Sequence, residues 1–118
     1  MYVVLIQPPV ALANEVHFAP REPPAPPWDL ICLHSYLLNR TRHQSIFFDA
    51  RVHPAWRDAL EMQLPYDCHE VVFVVRARAF EWPAALRVLQ AVAERAPQAM
   101  RVLCGDRKST RLNSSHRL

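Results

Sequence analysis

Apolar residues fall along this chain in short unbroken runs separated by stretches with helical spacing, the pattern of strands and helices in alternation. Tyr2 to Gln7 is a continuous apolar run closed by Pro8 and Pro9. A short β-branched run without alternation suits a strand covered on both faces. Val10 to Pro27 is rich in Pro and Ala with no usable period, and its prolines forbid regular helix or central strand, so it reads as a long loop. Trp28 to Asn39 follows as a helix that sets Trp28, Ile31, Cys32, Ser35 and Leu38 on one face with Leu30, Leu33 and Leu37 beside it; Pro27 suits its first position.

Ser45 to Asp49 gives a second strand, and Pro54 to Leu64 a short helix with Trp56, Ala59, Leu60 and Leu64 inward, stopped by Pro65. Val71 to Val75, four valines around Phe73, is the most strand-like segment and is read as the central strand. Pro83 opens a helix through Ala96 with Leu86, Leu89, Ala93 and Ala96 inward, and Met100 to Cys104 is a fourth strand followed by Gly105. Strands alternating with helices imply an α/β fold with a right-handed, doubly wound parallel sheet, Rossmann-like in the flavodoxin manner. Four strands are present and the sheet is expected to be incomplete at one edge, with a tendency to associate through it.

The formal net charge of +3 changes meaning once it is located. Arg107, Lys108, Arg111 and Arg117 against Asp106 account for all of it, leaving ten arginines against ten carboxylates in residues 1–105. The only lysine and three of the five serines also lie beyond Gly105. Asp106 to His116, DRKSTRLNSSH, resembles the conceptual translation of a short-read sequencing adaptor, so residues 1–105 are taken as the domain and 106–118 as an adaptor-derived, disordered tail. The basic charge then gives no reason to expect nucleic acid or an anionic membrane.

No long apolar stretch or signal-like segment is present, so no membrane partner and a cytoplasmic setting are expected. Cys32, Cys68 and Cys104 are odd in number and widely spaced, fitting neither a disulfide framework nor a paired-cysteine metal site. Cys32 and Cys104 lie in apolar runs and read as buried thiols. Trp28, Trp56 and Trp82, near helix starts, read as packing residues rather than stacking platforms for a ligand.

Open parallel sheets bind ligands beyond the carboxyl ends of their strands, here Gln7-Pro8-Pro9, Asp49-Ala50-Arg51, Arg76-Ala77-Arg78 and Gly105. With Gly105 as the sole glycine, neither G-x-G-x-x-G nor a P-loop can exist, which argues against NAD and ATP. Arg76 and Arg78 could meet phosphate or amide groups of a ligand or face solvent; Asp49 could bond a ribose or cap the following turn, the latter being favoured.

The pieces Ile6-Gln7-Pro8-Pro9, Pro26-Pro27-Trp28-Asp29-Leu30, Arg42-His43, Phe47-Phe48-Asp49, Val71 to Val75, Trp82-Pro83-Ala84-Ala85-Leu86 and Val102-Leu103-Cys104-Gly105 form an ordered set. Together they resemble the N-terminal cobalamin-binding domain of B12-dependent radical SAM proteins over residues 2–105. The resemblance implies a corrinoid across the carboxyl edge, with its nucleotide tail between strands one and four, contacted by Gln7, Pro8, Pro9, Asp49, Arg76, Arg78 and Gly105. It also implies a downstream radical SAM domain in cis, holding S-adenosylmethionine and a 4Fe-4S cluster for a methyltransferase or related enzyme.

The C-x3-C-x2-C triad of that catalytic domain is absent, so no catalytic residue is assigned to this chain. The D-x-H-x-x-G loop that supplies a cobalt ligand in other cobalamin modules is also missing, and no metal ligand is assigned. His17, His43 and His53 are the histidines that could be nominated, and each reads as a surface or capping residue in preference to a ligand. Two rivals remain. One is a non-binding scaffold docked on the radical SAM barrel, with side chains such as Phe18 or Trp28 filling the space above the strands. The other is a receiver-like domain, which would need an acidic cluster where Gln7-Pro8-Pro9 stands.

Overall fold

The computed structural model describes residues 1–10, 26–63 and 70–105. The expectations that fall on His17, Phe18, Leu64, Pro65, Cys68 and the 106–118 tail lie outside the described residues.

Four strands alternate with three α-helices in the order the pattern implies: β1 (Tyr2–Gln7), α1 (Trp28–Arg40), β2 (Gln44–Asp49), α2 (Trp56–Gln63), β3 (Val71–Arg76), α3 (Trp82–Arg95) and β4 (Met100–Cys104). Single 3-10 turns at Ala50–Val52 and Ala79–Glu81 follow β2 and precede α3. The strands form one parallel sheet in the order β2-β1-β3-β4. This is an α/β, Rossmann-like arrangement of the flavodoxin type. The central positions belong to β1 and β3, the two most continuously apolar runs.

Alternation along each strand assigns the faces. Val4, Ile6, Phe48, Phe73, Val75 and Leu103 enter one core with Trp56 and Leu60 of α2 and Ala85, Val88, Leu89 and Val92 of α3. Val3 and Leu5 enter a smaller core on the opposite face with Leu30, against which Leu37, Phe47 and Val74 pack. Helices therefore cover both faces of the sheet, which is why β1 reads as unbroken apolar sequence rather than an alternating one.

Three expectations about which residues face inward are corrected. In α1 the face toward the sheet is Leu30, His34 and Leu37, and Cys32 and Leu38 are exposed, as is Trp28 at 64%. Two tethers fix this rotation: Asp29 Oδ1 to Arg76 Nη1 at 2.9 Å, and His34 Nδ1 to Ser45 Oγ at 2.7 Å. Of the three tryptophans, Trp56 is buried and Trp82 packs against the larger core, while Trp28 does neither. In α3 Leu89 and Ala96 pack inward as expected, but they are joined by Ala85, Val88 and Val92, and Leu86 is exposed.

Pro27 is the N-cap of α1 rather than its first helical residue. Cys104 is half-buried, as its place on β4 suggested, whereas Cys32 is not buried. The strand order also corrects one implication of the family resemblance: β3 lies between β1 and β4, so nothing can thread between strands one and four as neighbours. The crevice of this sheet is between β1 and β3, where the chain winds away in opposite directions.

Candidate functional site

Arg76 extends β3 one position beyond Val75, and the pleat turns its side chain toward the α1 face that Val74 also occupies. Gln7 ends the neighbouring β1 one position beyond Ile6, and both residues stand at the β1/β3 crevice. Gln7 is 0% exposed and Arg76 8% exposed, so both polar groups need internal partners. Arg76 Nη2 donates to Gln7 Oε1 at 2.5 Å, and Gln7 Nε2 donates to Glu81 Oε2 at 2.6 Å and to the Pro8 carbonyl at 3.3 Å.

Glu81 is the hub of this network, 5% exposed at the end of the turn that leads into α3. Its Oε1 accepts the Arg78 backbone N–H at 2.9 Å and the Arg78 Nε–H at 3.4 Å, and lies 3.8 Å from Arg76 Nη2. Arg76 Nη1 reaches across to Asp29 in the first turn of α1. Two guanidiniums and two carboxylates thus tie the ends of β1 and β3 to the starts of α1 and α3. Of the donors in this set, Arg76 Nε is buried and has no hydrogen-bond partner among the described residues.

The other nominated residues separate into two groups. Pro8 and Pro9 are buried directly after Gln7. Asp49 stands apart from the crevice at the end of β2 and caps the next turn: its Oδ1 accepts the Arg51 backbone N–H and Nε–H, each at 3.0 Å, and its Oδ2 accepts Arg51 Nη2 at 2.9 Å. The capping expectation holds, and the ribose alternative meets a carboxylate already engaged on both oxygens. Gly105 follows β4 without a positive φ, so its backbone does not require glycine.

Burial opposes ionisation of Asp49, but the side-chain and backbone hydrogen bonds and the charge of Arg51 outweigh it and hold the carboxyl below its ordinary value of 3.8. A carboxyl depressed by folding contributes stability that is present above its unfolded pKa and is lost as pH falls through the folded one. Asp49→Asn is therefore expected to lower stability at neutral pH and to shrink the loss of stability below pH 3.8. Urea midpoints measured from neutral to strongly acid pH check this; a variant whose midpoint falls as steeply in acid as the parent's would refute it.

Residues with little side chain follow every strand: Pro8, Ala50, Ala77 and Gly105. Pro8, Ala50 and Ala77 are buried, the last two within the larger core. Cys104 closes β4 beside the network, its thiol pushed up by burial and then by the charge of Asp29, with Arg76 acting in the opposite sense. Of the nominated histidines, the two among the described residues do not join the site. His43 is exposed before β2, at the amino edge, and His53 stacks on Phe48 at 4.9 Å. Among the described residues no three His, Cys, Asp or Glu side chains are grouped to hold a metal ion.

Sequence reasoning found Gln7, Arg76 and Arg78 but missed Glu81, Asp29 and Arg51. Glu81 had a local signal, three residues after Arg78 and just before Trp82-Pro83, where an acid is favoured at a helix start. Asp29 had the same signal in α1, but its pairing with Arg76 across the fold had none. No helix of the described residues is long and apolar enough to cross a membrane. Comparison with protein-family models, curated proteins and solved structures returns no match, so the family resemblance rests on the sequence pieces themselves.

Proposed function

We propose that this chain is a cofactor-seating module of the cobalamin-binding kind, taking a corrinoid across the carboxyl edge of the sheet, in a cytoplasmic enzyme. The observation that carries the reading is the switch point between β1 and β3, where Gln7 and Arg76 end adjacent parallel strands and the chain winds away in opposite directions. Open sheets of this winding hold ligands beyond the carboxyl ends of their strands at that point. The donor set is consistent with a corrinoid held through its periphery: the half-exposed Arg78 guanidinium lies beside Glu81, which also anchors Gln7 at the crevice.

A corrinoid, when bound, supplies a cobalt centre suited to alkyl transfer. The chain's own part is to seat it. Gln7, Glu81 and Asp29 fix Arg76 at the crevice. In this reading S-adenosylmethionine and the iron-sulfur cluster belong to a separate radical SAM domain, because the three cysteines here lack the C-x3-C-x2-C spacing.

One observation favours the scaffold reading: Gln7, Asp49 and Glu81 are already committed to internal partners. Against it, Trp28 is exposed rather than filling the space above the strands. Incubating the 118-residue chain with hydroxocobalamin and passing it through gel filtration separates the two. Visible corrinoid absorbance is expected to travel with the protein. Folded, colourless protein with all the corrinoid in the small-molecule volume would sink the corrinoid reading and leave the scaffold.

A further inference from the structure

The two faces of the sheet are unequally covered. On the α2 and α3 side, Phe73, Val75 and Leu103 of β3 and β4 are buried. On the other side α1 lies against β1 and β2, and there Val3 and Leu5 are buried. The same face of β3 and β4 is left open: Val72, Val74 and Val102 are only half-buried, and Met100 is 42% exposed. The bond from Asp29 to Arg76 fixes which flank of α1 looks over these strands. Leu33 and Tyr36, four and seven residues after Asp29, share that flank and are exposed. An apolar step results, with α1 as its wall and the β3/β4 surface as its floor. Arg76 is the one charged side chain that β3 and β4 place on this face, and Asp29 and Glu81 match it. Among the described strands β4 pairs with β3 alone, so its outer edge is open as well.

We infer that this step docks a second copy of the chain about a two-fold axis parallel to the strands. A helix is about 10 Å across and stacked sheets lie about 10 Å apart. The partner's β3/β4 surface therefore fits beside α1 in the same layer. Its α1 in turn lies along the outer edge of β4, the kind of edge that soluble proteins shield. One operation hides both apolar surfaces and both open edges, as a self-complementary contact must. A two-fold axis running across the strands would instead drive the two α1 helices into each other. With the axis along the strands, both carboxyl edges open on the same side of the dimer. The contact involves no ligand, so it stands or falls separately from the corrinoid reading. Two strands and one helix flank make a small interface, and the dimer is expected to dissociate on dilution.

Sedimentation equilibrium of the 118-residue chain from about 1 μM to about 1 mM tests this, with reductant present to keep the exposed Cys32 from linking chains. The mass is expected to rise with concentration and level off at two chains. Tyr36→Glu and Met100→Glu each put a charge into the contact. Each is expected to raise the dissociation constant about tenfold or more while the circular dichroism stays that of the parent. Leu38→Glu, on the opposite flank of α1 and 53% exposed, is expected to dimerise as the parent does. A mass of one chain throughout overturns the inference, and so does growth past two chains without a plateau. Dimers that survive Tyr36→Glu overturn it too, because direct pairing of two β4 edges would not involve α1. Equal weakening by Leu38→Glu and Tyr36→Glu would place the contact elsewhere and overturn it as well.

Discussion

Glu81→Ala is expected to cost the domain about 3–5 kcal/mol, the range for breaking a buried ion pair by removing one partner. Glu81 is the group on which three neighbours depend. Without it the fully buried Gln7 amide keeps only a long bond to the Pro8 carbonyl. The Arg78 N–H loses its acceptor, and Arg76 keeps Asp29, whose carboxylate is largely exposed, as its remaining ionic partner. Against a typical total of about 5–15 kcal/mol, a loss of that size removes much of the folded population. Glu81→Gln should fall between the two, since it keeps the shape and one acceptor but puts an amide donor against that of Gln7. Urea unfolding followed by circular dichroism ranks the three proteins; an alanine variant within about 1 kcal/mol of the parent would mean that water replaces the carboxylate.

Phe73→Ala is expected to be as damaging for a different reason. Phe73 is buried in β3, paired with Val4 on one side and Arg101 on the other, in the core shared with α2 and α3. Truncating a buried phenylalanine costs about 3–5 kcal/mol, through lost transfer energy and an incompletely collapsed cavity. Collapse is hindered here because the strand is held by ladders on both edges. Phe73→Leu, which refills most of the volume, should recover the greater part. Equal losses for the alanine and leucine variants would show that ring shape, rather than volume, sets the cost.

The fold was legible because its signals are local. Unbroken apolar runs marked the strands, prolines marked helix starts, and alternation of the two element types implied a parallel sheet. Helix rotation was less legible. The sequence of α1 is apolar on several faces, so its periodicity could not choose between Trp28, Cys32 and Leu38 on one side and Leu30 and Leu37 on another. The choice is made by Asp29 meeting Arg76 and His34 meeting Ser45, contacts between residues distant in sequence.

The same reason explains the candidate site. The strand-end rule located Gln7 and Arg76, which are strand residues. Glu81 and Asp29, which neutralise the crevice, belong to the helix starts that fold back over it. Reading Arg76 as meeting a ligand or facing solvent missed that β3 carries it inside the sheet, where a charge must be matched.

The place of β1 in the sheet governs how the protein can be made. Of the four described strands, the first to be synthesised is an inner one: Tyr2 pairs with Gln44 on one side and with Val71 on the other. At a synthesis rate of about 5–20 residues per second, this oily segment waits seconds for its first neighbour and longer for its second. No hairpin can shelter it in the meantime, because all of its partners run parallel and arrive only after a helix. The nascent chain is therefore most exposed to aggregation and to chaperone capture through Tyr2–Gln7 before β3 emerges.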